Sequence, residues 1–275
     1  VLLLVGSTPT SPTSLLTLGL VAVTFALLIL YLLHFPSADE QSSTPHFPLF
    51  LILLGLTGIL LGRLPSLAAG RPGRFTFARL RYQSGDWDAD PQMPANLLNS
   101  MVEYTRVKVD EREQVVALDS RELFAFPFVY LTGHALVRFT RAEKEHFGRY
   151  LSQGGFVFAD DCNHDLGGLF ATSFEAQLQE LFPGRLRSVP SSHPLYACAF
   201  QFPEGPPATH HELNGFGDNL VHQSLRGIEA RGSLGLLYSN KDYGCEWDYA
   251  LKSKQYLAED NTRFGVNILT YALTR

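Results

Sequence analysis

The pattern of apolar and polar positions divides the chain in two. Leu15 to Leu33 (LLTLGLVAVTFALLILYLL) is 19 residues without a charge, and as a helix it would reach about 28 Å, close to the thickness of a bilayer core. It is apolar on every side, unlike the one-sided stripe of a surface helix, and so predicts a transmembrane helix. Phe47 to Gly62 (FPLFLILLGLTGILLG) is also uncharged and predicts a second span. The alternative is a signal-type apolar region followed by the small residues of Ser66 to Gly70. The organisation read from this pattern is a membrane region over 1–62, a Pro/Gly linker over 63–74 and a domain over 75–275.

From Phe75 the periodicity changes. Phe75 to Tyr82 (FTFARLRY) alternates as a strand does. Leu97, Leu98, Met101, Val102 and Thr105 recur at helical spacing behind Pro94, which suits a first helical turn. Gln114 to Leu118 reads as a short strand, and Phe126 to Leu131 (FPFVYL) as a strand covered on both faces. Thr140-Arg141-Ala142-Glu143 is a capping box; the helix it opens carries Phe147, Tyr150 and Leu151 on its apolar face and stops at Gly154-Gly155. Strand Phe156 to Asp160 follows, and a strand–helix–strand of this length is a βαβ unit with parallel strands. A second capping box, Thr172 to Glu175, predicts a helix with Phe174, Leu178, Leu181 and Phe182 along one stripe, ended by Pro183-Gly184. Pro203 to Gly217 reads as a loop with His210-His211 solvated. Leu225 to Arg231 and Leu234 to Tyr238 read as strands, and Arg263 to Thr274 as a closing helix. The expected fold class is α/β: a three-layer sandwich on a mostly parallel sheet, preceded by N-terminal transmembrane helices.

Composition adds limits. A net charge of −5 gives no reason to expect a nucleic-acid partner. Three widely spaced cysteines, an odd number, make neither a disulfide framework nor a CxxC zinc site. The loop between the apolar segments carries Asp39 and Glu40, whereas Arg63, Arg71, Arg74, Arg79 and Arg81 follow the second. The positive-inside rule then places the domain in the cytoplasm; a span upstream of Val1, or cleavage near Ala69, would make it periplasmic. The expected partners are the lipid bilayer and a protein of a membrane complex.

In open α/β sheets ligands bind beyond the carboxyl ends of the strands. Four predicted strands run into polar loops at that end: Asp86-Trp87-Asp88, Thr132-Gly133-His134, Asp160 to Asp165 (DDCNHD) and Ser239 to Asp248 (SNKDYGCEWD). If the strands are parallel neighbours, the loops share one rim, and the candidate ligand-binding residues are Asp86, Trp87, His134, Asp160, Asp161, Asn240, Asp242 and Trp247. Each has a plainer role open to it: strand-end aspartates bind backbone N–H groups, histidines fill loops and tryptophans pack. Asp161 alternates with Asp160 and points to the opposite face. Cys162, His134 and Asp160 are the catalytic candidates, although carboxylates beside Cys162 oppose a thiolate. No cofactor is predicted. A divalent metal on Asp160, His164 and His134 is the alternative, although no HExxH spacing supports it, and Walker, GxGxxG and GxSxG motifs are absent.

The ordered run FTFARLRYQSGDWDADP, FPFVYLTGH, YLSQGGFVFADDC, SHPLY, LGLLYSNKDYGCEW and FGVNILTYALT resembles a bacterial family, the domain of unknown function four-one-five-nine, over nearly all of Phe75 to Arg275. That family is grouped with the class I glutamine amidotransferase-like superfamily, so the resemblance implies a flavodoxin-like α/β sandwich. The superfamily's amidotransferases carry a G-x-C-x-G nucleophile elbow and a downstream His-x-Glu. Around Cys162 the flanking glycines are missing, while His210 and Glu212 fit His-x-Glu. Glutaminase activity is therefore not expected. The function expected is a membrane-anchored α/β domain that binds a small ligand or protein partner at the carboxyl edge of its sheet. The alternatives are a hydrolase using Cys162 or a bound divalent metal, and a structural interaction domain of a membrane complex.

Overall fold

The computed structural model describes residues 73–213, 221–248 and 259–275. The apolar segments at 15–33 and 47–62 lie outside the described residues, and among the described residues no helix is long and apolar enough to cross a membrane. The elements in chain order are β1 (Ala78–Arg81), α1 (Met93–Tyr104), β2 (Gln114–Ala117), β3 (Phe128–Gly133), α2 (Arg141–Ser152), β4 (Phe156–Asp161) and α3 (Leu169–Leu181). They continue with β5 (Arg187–Ser188), α4 (His210–Leu213), β6 (Arg226–Ala230), β7 (Ser233–Ser239), α5 (Tyr243–Trp247) and α6 (Glu259–Thr274).

The strands form one seven-stranded sheet in the order β2-β1-β3-β4-β7-β6-β5. The first five in that order pair parallel; β6 and β5 pair antiparallel. This corrects the expected fold class. The parallel strands are still the majority, but the two antiparallel ones make the described residues a mixed α/β domain, and the expected transmembrane helices are not found among them: no helix there is long and apolar enough to cross a membrane. The mixture has a local cause. Arg231 and Gly232 both take positive φ between the paired Ala230 and Ser233, a two-residue turn that can only return the chain antiparallel.

Alternation along the central strands sorts the core onto the two faces of the sheet. Phe128, Tyr130, Phe156, Phe158 and Leu237 bury against Leu97 and Met101 of α1 and Phe264, Ile268 and Tyr271 of α6. Val129, Leu131, Val157, Ala159 and Leu236 bury against Phe147 and Tyr150 of α2 and Phe170, Phe174 and Leu178 of α3.

The Thr140 capping box forms: the Thr140 side chain accepts from the Glu143 amide and Glu143 accepts from the Thr140 amide. The buried Glu143 carboxylate also accepts from the Gln83 amide at 2.7 Å, so the cap fixes the loop after β1. The second box does not form. Helix α3 starts a turn earlier behind Gly168, Thr172 Oγ1 donates back to the Gly168 carbonyl at 2.8 Å, and Glu175 pairs with Arg226 at 2.6 Å. The Asp165 carbonyl and side chain hold the amides of Gly168 and Gly167 and set that earlier start.

Candidate functional site

Register places the strand ends side by side. In the parallel trio β3-β4-β7, Thr132 lies beside Asp160 and Asp160 beside Ser239. β1 flanks the trio through Arg79 and Tyr130. The loops after β1, β3, β4 and β7 therefore leave from one edge.

Two hydrogen-bonded groups grow from the alternating pair Asp160 and Asp161. The Asp161 group includes the loop after β3. Asp161 Oδ1 accepts from the amide and side chain of Asn163, both at 3.0 Å, and Asn163 donates also to the His134 carbonyl at 2.8 Å. Asp86 completes this side, accepting from the amides of His134 and Ala135 at 2.9 Å and meeting His134 Nδ1 at 2.8 Å. Gly133, at φ 153°, permits that approach, because a Cβ there would lie 2.6 Å from the Tyr82 hydroxyl and 2.8 Å from Asp86 Oδ1. Burial pushes the Asp161 carboxyl up to about 7 against the Asn163 hydrogen bonds. For Asp86, partial burial is overcome by the two amides and the His134 ring, which bring the carboxyl below its usual value.

The second group is more deeply buried. Asp160 Oδ2 accepts from the Gly244 amide at 2.6 Å. A side chain at Gly244 would collide with Asp90 and reach 2.6 Å from the Tyr130 hydroxyl, so this close approach requires glycine. Cys162 Sγ lies 3.0 Å from Thr132 Oγ1 and donates to Asp90 Oδ2 at 3.2 Å. Arg79, buried in β1, holds Asp90 in place by donating to the carbonyls of Ala89 and Asp90 while pairing with Glu113 at 2.7 Å. Asp242 caps α5 by accepting from the Cys245 amide at 3.1 Å, and its other oxygen lies 3.0 Å from His164 Nε2.

Electrostatics follow from crowding carboxyls where water is scarce. Burial, then the neighbouring Asp242, push Asp160 well above the carboxylate range. Burial and the Asp90 charge raise Asp242 to about 7, and burial raises Asp90. Burial followed by the charges of Asp242, Asp90 and Asp160 pushes the Cys162 thiol far up. Burial and the adjacent His211 lower His164 to about 4.

Of the residues singled out from sequence, Asp160, Cys162, His164 and Asp242 share the second group. Asp86, His134 and Asp161 share the first. Trp247 is buried against Phe158 and Tyr243 and donates to the Asn261 carbonyl at 2.9 Å, so it serves the core. Trp87 packs on the α2–α3 side of the sheet. Asn240 accepts from the His222 amide at 3.0 Å.

Among the described residues two sets of side chains could hold a metal ion: His164, His211 and Asp242, and Asp90, Asp242 and Cys245. The metal candidates read from sequence separate, since His134 is held by Asp86 and Asp160 by Gly244, leaving His164. His211, expected to be solvated, is half-buried with its ring 3.9 Å from that of His164. Its helix is tied down by Glu212, which accepts from the Thr209 amide and meets Lys241 Nζ at 2.5 Å. The signal available in sequence was Thr209-His210-His211-Glu212, a short capping box. Asp90 carried no signal beyond lying before Pro91.

Cavities of about 400 and 390 Å³ open elsewhere, one against β5 and β6 near Arg185 and His193, the other at the amino end of the sheet near Phe75 and Pro127. No curated protein matches the chain. The family described as Domain of unknown function (DUF4159) matches residues 76–273, which take in every strand and helix described above but for the last residue of α6, and the chain belongs to that family.

Proposed function

We propose that the carboxyl edge of the sheet binds a polar small ligand and that the domain works as a binding module. One observation carries this reading. Asp160 Oδ1, Asp242 Oδ2 and the Tyr130 hydroxyl are buried polar atoms without a hydrogen-bond partner among the described residues, and all belong to the second group at this edge. Each such atom costs about 1–3 kcal/mol when left unpaired, and folded proteins satisfy nearly all of them. A ligand supplying complementary polar atoms removes that cost. Cys162 does not favour the hydrolase alternative, because a buried thiol facing three carboxyls carries little thiolate.

A thermal-shift screen of amino acids, amines, carboxamides and monosaccharides tests the reading, run in parallel on the native chain and Asp160→Asn. The substitution preserves shape and keeps an acceptor for the Gly244 amide. The expected result is a compound class that raises the melting temperature of the native chain but not of the variant. Equal stabilisation of both proteins, or a turnover abolished by Cys162→Ser, overturns it.

A further inference from the structure

We infer that His164, His211 and Asp242 form a binding site for a divalent transition-metal ion, of the kind that takes two imidazoles and one carboxylate. This rests on the reading of the carboxyl edge as a binding rim and names one ligand for it. Donor atoms of the three residues lie within 4.8 Å of one another. His164 Nε2 and Asp242 Oδ2 are 3.0 Å apart and both buried, yet neither makes a hydrogen bond. An unaligned pair at that distance is a poor ion pair. It is the spacing of two donors on one ion: bond lengths near 2.1 Å set neighbouring donors about 3.0–3.4 Å apart in octahedral or tetrahedral geometry.

The surroundings are built to hold these donors. His164 and Asp242 both take positive φ, at 49° and 57°, backbone conformations that are uncommon outside glycine. Asp242 Oδ1 is fixed by the Cys245 amide, leaving Oδ2 as the ligand atom. His211 comes from a separate segment, and the Lys241–Glu212 contact joins that segment to the residue preceding Asp242. Lys241 is itself buried, so the third donor is carried by a rigid link. The His164 side chain is 17% exposed and His211 is half-buried, which leaves a path from solvent. Two histidines and a carboxylate leave coordination positions for water or a second ligand. Imidazole donors favour zinc, cobalt or iron(II) over magnesium and calcium, which prefer all-oxygen sites.

The test uses the purified full chain stripped with chelator and titrated with Co²⁺ followed by visible absorption, then with Zn²⁺ in competition. The expected result is one Co²⁺ per chain, displaced by Zn²⁺, with His211→Ala and His164→Ala each weakening binding by more than about tenfold. His146→Ala, half-buried on α2 against Phe124, retains native affinity. Because His211 lies on a short, half-exposed helix, its variant also reports on the site when His164→Ala disturbs folding, which circular dichroism monitors. Absence of Co²⁺ binding, or equal binding by the native chain and His211→Ala, overturns the metal assignment. If the Asp160-dependent thermal shifts survive that outcome, the rim reading stands without the metal; if they vanish too, both fall.

Discussion

Asp86 holds His134 at the start of the loop after β3 through three contacts: the amide of His134, the following amide of Ala135 and the His134 ring nitrogen, all within 2.9 Å. The two residues belong to loops from adjacent strands, so the pair fixes one loop against the other. Asp86→Ala is expected to destabilise the chain by about 1–2 kcal/mol in urea denaturation at pH 7. The folded state depresses the Asp86 carboxyl, so its stabilisation is present above the unfolded carboxylate range and disappears as pH falls through the folded value. The gap between native and variant midpoints therefore closes in strong acid; a gap that persists there contradicts the assignment.

Asp161 predicts the opposite slope. Its carboxyl rises from 3.8 in the open chain to about 7 in the folded state, so between those values the folded state binds the extra proton. Stability then declines as pH increases from about 4 to about 7, by at most about 4 kcal/mol from this residue. Asp161→Asn keeps an acceptor for Asn163 and removes the titration. Its chemical-denaturation profile across this window should be flatter than the native one, and superimposable profiles would rule the account out.

Lys241 and Glu212 are buried partners whose side chains are 2% and 9% exposed. Removing one leaves an uncompensated charge, so Lys241→Met should cost about 3–5 kcal/mol. The double variant Lys241→Met/Glu212→Gln should be less destabilised than the single one, since the carboxamide that replaces the Glu212 carboxylate keeps an oxygen for the Thr209 amide. A double-mutant cycle by thermal or urea unfolding measures this directly, and additive effects would show that the two residues are uncoupled.

Cys162 is buried, with its thiol pushed far above the ordinary range by burial and three nearby carboxyls. In the native protein at pH 8 it should resist iodoacetamide for hours and react at once in denaturant. Mass spectrometry of the labelled peptide separates it from the exposed Cys245. Rapid native labelling at Cys162 would restore the nucleophile reading.

The pieces legible in sequence were those governed by near neighbours. The Thr140–Glu143 cap and the Gly154-Gly155 stop lie within a few residues of the helix they bound, and both mark that helix in the structure. The Thr172–Glu175 cap matched the same local rule and lost to contacts the rule cannot see: Asp165 starts the helix earlier and Arg226, from β6, takes Glu175. The same limit applies at the rim. Asp160, His164 and Asp242 were visible as polar strand ends, but His211 reaches them through Lys241 and Glu212, 29 residues apart in sequence. Asp90 joins through the buried Arg79 of β1. Trp247 looked like a wall of the site because it lies near Asp242, and the short helix α5 turns it into the core.

The alignment of Thr132, Asp160 and Ser239 across three neighbouring strands makes the length of β4 a fixed quantity. Inserting or deleting a single amino acid between Phe156 and Asp160 would exchange the sides on which Asp160 and Asp161 emerge. If the carboxyl end keeps its place instead, the residues before the change turn over, sending Phe156 toward the helices that now receive Val157 and Ala159. A length change in this strand thus spoils either the rim or the core, and tolerated insertions belong instead in the turns beyond Asp165.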